Sequence, residues 1–157
     1  MTNLLLSPPQ TVCFALERLQ EQGYQAHLVG GCVRDALRGA SPHDWDICTN
    51  ALPDQTMACF PEFPLIPTGL AHGTVTLLIE DTPLEITTYR VDGQYSDGRH
   101  PDKVAFTPCL REDLARRDFT INAMAWNPEE GLTDPFGGRQ DLDARCIRCV
   151  GDARTRF

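Results

Sequence analysis

Two periods alternate along these 157 residues. Val12, Leu16 and Leu19 recur at helical spacing with Glu17, Arg18, Gln20 and Glu21 between them, and Gly23 supplies a stop. That pattern predicts a packing helix over 8–23. His27-Leu28-Val29 is a short apolar strand that runs into Gly30-Gly31, and a helix-compatible segment, 32–37, follows at once. Leu52-Pro53-Asp54 opens another short helix ending at Cys59, after which Pro61, Pro64 and Pro67 forbid regular helix and predict an extended connector. The strings GTVTLLIE (73–80) and LEITTYR (84–90) predict a hairpin turning at Asp81-Thr82-Pro83. In its second strand Glu85, Thr87 and Tyr89 share one face, and Leu84, Ile86 and Thr88 share the other. Residues 92–103, with Gly93, Gly98 and Pro101 and no apolar periodicity, read as a mobile loop. A brief strand at 104–106, a helix at 110–117, a turn at 127–131, a short helix at 140–142 and a last strand at 147–151 complete the pattern. The order predicts an α+β domain: a mixed, mostly antiparallel sheet of about five strands with helices mainly on one side.

Length allows one domain with its own core, over 1–157. With 14 basic against 22 acidic residues the formal net charge is −8, which argues against broad, salt-dependent gripping of nucleic acid by this segment. It does not argue against metal and nucleotide chemistry, because carboxylates are what hold a catalytic cation. The start of the chain lacks the basic and apolar regions of a signal peptide, and no apolar run approaches the length of a membrane span. Seven scattered cysteines, several in apolar stretches, suit reduced thiols in a cytoplasmic protein. Cys146-X-X-Cys149 has no second ligand pair at a spacing that would make a zinc site.

The candidate chemistry lies between His27 and Ile47. A glycine pair between strand and helix lets backbone approach a ligand closely and aims helix amides at it, the physics of a phosphate site. A short way past the helix comes Asp44-Trp45-Asp46. On one strand the two carboxylates face the same side with Cα atoms roughly 6.5–7 Å apart, and a hard divalent cation would relieve their repulsion. Arg116-Arg117-Asp118 forms a charged cluster beside an apolar run, and arginine offers a planar fork of donors to phosphate oxygens.

Taken together, Gly30-Gly31-Cys32-Val33-Arg34-Asp35, Asp44-X-Asp46 and Arg116-Arg117-Asp118-Phe119-Thr120-Ile121-Asn122-Ala123 resemble the nucleotidyltransferase superfamily that includes DNA polymerase beta. Within it the resemblance is to the class II tRNA nucleotidyltransferase (CCA-adding enzyme) and bacterial poly(A) polymerase family, through its catalytic head domain. It implies metal-dependent transfer of CMP or AMP from CTP or ATP to a tRNA 3′ end, with two Mg²⁺ ions that Mn²⁺ can replace. It implies a catalytic and metal-binding trio of Asp44, Asp46 and Glu85, since the family's third carboxylate occurs in this kind of hairpin strand ahead of an arginine. Gly30, Gly31, Arg34 and Arg117 would receive the triphosphate, with Asp118 and Asn122 bracing the site or touching sugar. Arg99 and His100 are the polar candidates of a flexible loop that helps place primer and nucleotide.

The same motifs fit a poly(A) polymerase, and a non-catalytic nucleotide- or RNA-binding module is the more distant reading. The resemblance also implies that this chain is the head alone. Residues 151–157 resemble the lead-in to a base-reading helix, with the neck, body and tail domains absent. Base selection and tRNA gripping would reside in those parts, and incomplete cover over the sheet would favour self-association.

Overall fold

The computed structural model describes residues 6–69, 72–91 and 105–151. Helix α1 (Gln10–Glu21) leads to β1 (Ala26–Val29), α2 (Gly31–Leu37) and β2 (Asp46–Thr49). Helix α3 (Pro53–Cys59) leads to β3 (Leu65–Gly69), β4 (Thr74–Ile79) and β5 (Thr82–Thr88). Next come the short strands β6 (Arg90–Val91) and β7 (Ala105–Phe106), then α4 (Leu110–Ala115) and a 3₁₀ turn, Thr120–Asn122. Strands β8 (Ala125–Asn127) and β9 (Gly131–Thr133) and helix α5 (Gly138–Asp143) follow.

Seven of these strands form one sheet in the order β3-β4-β5-β2-β1-β8-β9, while β6 and β7 pair apart from it. The pairing of β2 with β5 is parallel and the other pairings in the sheet are antiparallel. The architecture is the expected α+β class with two more strands than the sequence pattern predicts. One of the extra strands is β3, in the stretch whose prolines predict a connector. As the edge of the sheet it bonds to β4 alone, so Pro67 need not donate on its open side.

Register aligns one apolar row across six strands: Val75, Ile86, Ile47, Leu28, Trp126 and Leu132 are successive partners. Leu28, Ile47, Ile86 and Trp126 belong to the larger core, which takes Val12, Ala15, Leu16 and Leu19 from α1 and Cys59 from α3. Arg18 locks these two helices together. Its guanidinium donates to the Cys59 carbonyl and to Glu62, each at 2.8 Å, and lies 4.8 Å from the Phe14 ring centroid. Side chains alternate across a strand, so Val29, Cys48 and Ala125 join a smaller cluster on the opposite face with Tyr89, Leu114 and Val150. That thinly covered face is the one onto which Asp46, two residues before Cys48, projects.

Three local expectations change. The hairpin turns at Glu80-Asp81, both with positive φ (51° and 63°), which matches the twist of a two-residue turn; Pro83 then falls inside β5 opposite Leu78. Strand β2 starts at Asp46, so Asp44 lies ahead of the ladder instead of on the same strand. The last predicted strand reduces to one bridge, Phe119 to Cys149, because its backbone clamps the segment before the 3₁₀ turn. Thr120 N donates to Arg148 O and Val150 N to Asp118 O, each at 2.9 Å. Among the described residues no helix is long and apolar enough to cross a membrane.

Candidate active site

The parallel pairing of β2 with β5 sets Asp46 directly beside Glu85. Neighbouring strands lie about 4.8 Å apart and registered side chains share a face, so two carboxylates sit side by side. Asp46 is half-buried, whereas Glu85 and Asp44 are exposed. Burial pushes the Asp46 carboxyl up to about 6, and the Glu85 and Asp44 charges push the same way against the pull of Arg117. Burial leaves the ionised Asp46 carboxylate poorly solvated, and the like charges of Glu85 and Asp44 add to that cost. The donors are oxygen only, which suits a hard divalent cation. Among the described residues no three His, Cys, Asp or Glu side chains gather closely enough to hold an ion unaided. The sequence-derived trio is thus a registered pair, Asp46 and Glu85, with Asp44 two residues upstream.

The glycine turn follows β1, which neighbours β2 on the side away from β5. Gly30 has φ 80° and ψ −137°, a backbone that side chains rarely adopt, and a Cβ there would meet Arg117 Nη1 at 3.5 Å. A Cβ on Gly31 would meet Arg34 Nη2 at 3.4 Å. Arg34 therefore folds back over the start of its own helix. Its Nη1 donates to Asn122 Oδ1 at 2.7 Å and its Nε to Asp35 Oδ1 at 3.0 Å. Asn122 Nδ2 in turn donates to Asp118 Oδ1 at 3.1 Å, and the same oxygen accepts from Phe119 N at 2.7 Å. The structure thus brings Gly30, Gly31, Arg34, Arg117, Asp118 and Asn122 into one cluster, with Arg117 close enough to Asp46 to oppose its rise. Arg99 and His100 lie outside the described residues.

Arg117 carries a further mark. Its buried Nε has no hydrogen-bond partner among the described residues, and an unmet buried donor costs about 1–3 kcal/mol. Its Nη2 donates to Asp113 Oδ2 at 3.1 Å.

The profile of the Poly A polymerase head domain matches residues 26–148. The chain belongs to that family. The matched span takes in the glycine turn, β2 and the stretch from Arg116 to Ala123. Among relatives, the CCA-adding enzyme of Geobacillus thermodenitrificans (strain NG80-2) is 47% identical over 153 residues, 97% of this chain and 37% of that protein. The CCA-adding enzyme of Lactobacillus gasseri is 49% identical over 142 residues, 90% of this chain and 35% of that protein. The chain therefore spans well under half the length of the curated relatives it matches.

Two solved structures share the head fold. The Bacillus stearothermophilus CCA-adding enzyme in complex with CTP superposes with a TM-score of 0.86 at 42% identity, covering 97% of this chain and 36% of that one. A tRNA nucleotidyltransferase complexed with a primer tRNA and an incoming ATP analog gives 0.66 at 33% identity, covering 87% and 39%.

Sequence reasoning on the head domain missed two buried polar centres. Asp113 is wholly enclosed and accepts from Arg90 N, Arg116 Nε and Arg117 Nη2. Its spacing to Arg116 and Arg117, three and four residues on, is equally that of a solvated ion pair on an exposed helix, so it does not mark the residue as buried. His27, also buried, contacts Tyr89 Oη through Nδ1 at 3.1 Å and Glu130 through Nε2 at 2.9 Å. Those partners lie 62 and 103 residues away, so only the fold reveals them.

Proposed function

We propose that this head transfers nucleotides from CTP and ATP to the 3′ end of tRNA, as a CCA-adding enzyme does. The observation that carries the reading is the juxtaposition of a negatively charged, registered Asp46–Glu85 pair with a glycine turn flanked by Arg34 and Arg117. Charge of one sign suits cations, and the other suits the triphosphate those cations accompany. The curated relatives named CCA-adding enzyme, at 47–49% identity over most of this chain, support the same reading.

Asp46, Glu85 and Asp44 would hold Mg²⁺, which supplies positive charge to acidify the attacking hydroxyl and offset the charge of the leaving pyrophosphate. Gly30 and Gly31 leave room for phosphate oxygens beside backbone. Arg34, braced by Asn122 and Asp35, and Arg117, whose Nε has no partner among the described residues, donate charge-assisted hydrogen bonds to those oxygens. Asp118 orients Asn122 and through it Arg34. No side chain serves as nucleophile: the primer hydroxyl attacks the α-phosphorus and pyrophosphate departs. The reaction needs positioning and charge stabilisation, which is what this arrangement of residues provides.

A poly(A) polymerase is the second reading, favoured by the name of the matching family. The test is incorporation by the protein that carries this head, given tRNA lacking its 3′-terminal nucleotides. CCA addition requires CTP and ATP together and stops at a defined length. A lengthening oligoadenylate tail made with ATP alone would establish the second reading, and no transfer with either mixture would overturn both.

A further inference from the structure

We propose that Asp113 is the positioning residue that sets Arg117 for the triphosphate, an inference that rests on the reading of Arg117 as a phosphate contact. Asp113 lies on α4 with no exposed surface, and a carboxylate buried that deeply is costly unless its oxygens are met. Three donors meet them: Arg90 N at 3.0 Å, Arg116 Nε at 3.4 Å and Arg117 Nη2 at 3.1 Å.

The geometry at Arg117 gives this clamp a direction. Helix α4 ends at Ala115, so Arg117 sits in the turn beyond it, its backbone N donating to Leu114 O at 3.2 Å. Asp113 then engages the guanidinium through Nη2. Nε is buried with no partner among the described residues, and Nη1 is turned toward the space beside Gly30. A carboxylate that only neutralised the arginine at a distance would leave its plane free to rotate. Here the guanidinium is held at two points, the Nη2 contact to Asp113 at one end and the enclosure of Nε at the other, which together restrict its plane. Arg117 is thereby held ready before any ligand arrives, which lowers the ordering cost of binding.

The test is a double-mutant cycle on this chain, read by ATP and CTP binding with Mg²⁺ present, each variant first checked for cooperative unfolding. Asp113→Asn keeps the size and removes the charge. It should weaken both nucleotides about tenfold in the wild-type background, the scale of one charge-assisted hydrogen bond. On top of Arg117→Ala it should cost less than about twofold, since coupled residues do not add. Equal losses in both backgrounds overturn the inference and leave the phosphate role of Arg117 standing. An Arg117→Ala variant that binds like wild type overturns the reading underneath it. Should Asp113→Asn fail to fold, heteronuclear NMR of the arginine side chains in the nucleotide-free wild type decides, with Arg117 assigned through Arg117→Lys. Distinct, slowly exchanging Nη resonances for Arg117 support the clamp, and a single rotationally averaged Nη signal overturns it.

Discussion

At the scale of single residues, charge governs the site. Asp46 keeps its proton up to about pH 6 in the fold against an ordinary value of 3.8. Between those values the folded state binds more protons than the unfolded state, so this group's contribution to stability falls as pH rises from about 4 through 6. Asp46→Asn removes the penalty. Without divalent metal it should melt higher than wild type at pH 7.5, by of order 1 kcal/mol after allowing for partial exposure, or about 3 °C. The difference should vanish near pH 4, and a gap of equal size at both pH values would contradict the origin assigned to it. Arg34→Ala and Arg117→Ala should each weaken ATP and CTP together by about 1.5–3 kcal/mol, because phosphate contacts carry no base information. Calorimetric titration of both nucleotides checks this, and loss of one nucleotide with retention of the other would deny the phosphate role. Arg34, Asp46 and Arg117 could be singled out in the sequence because their motifs are local. Asp113 could not, because three donors converging on its carboxylate is a fact of packing, and the string alone reads as a solvated charged helix.

At the scale of elements, the site depends on how closely α5 approaches the 3₁₀ turn that carries Asn122. Asp134 accepts from Gly138 N at 2.7 Å and from Arg139 N at 3.0 Å, which caps α5. Asp141 Oδ2 accepts from Thr120 Oγ1 at 2.6 Å across the contact. A Cβ on Gly138 would fall 2.1 Å from the Thr120 carbonyl oxygen, so the two backbones meet only because nothing stands between them. Gly138→Ala should cost about 3 kcal/mol or more, and should loosen Arg34 by moving Asn122. Denaturant unfolding reads the first effect and CTP affinity the second; an unchanged midpoint would refute the close approach. The hairpin of β4 and β5 was legible in advance because its alternation is strict. The connector was misread at β3 because proline rules speak about helices and central strands, and an edge strand escapes both. The carboxylate geometry was legible only in part. Spacing alone joins Asp44 to Asp46, whereas the parallel register joins Asp46 to Glu85, 39 positions apart in the chain.

At the scale of the whole molecule, a chain matching 37% of a CCA-adding enzyme's length carries the residues proposed to hold triphosphate and metal. Triphosphate and metal are common to all four nucleotides, so the contacts proposed for these residues should bind ATP, CTP, GTP and UTP with little preference; strong selectivity for ATP and CTP in a four-nucleotide titration would place base reading within the head. The most direct measurement of the central claim is CTP binding by calorimetry with and without Mg²⁺, on wild type and Asp46→Asn at pH 7.5. Mg²⁺ should strengthen CTP binding to wild type, and Asp46→Asn should abolish the strengthening while the fold is retained. Equal affinity with and without Mg²⁺, or full strengthening in Asp46→Asn, would contradict that claim.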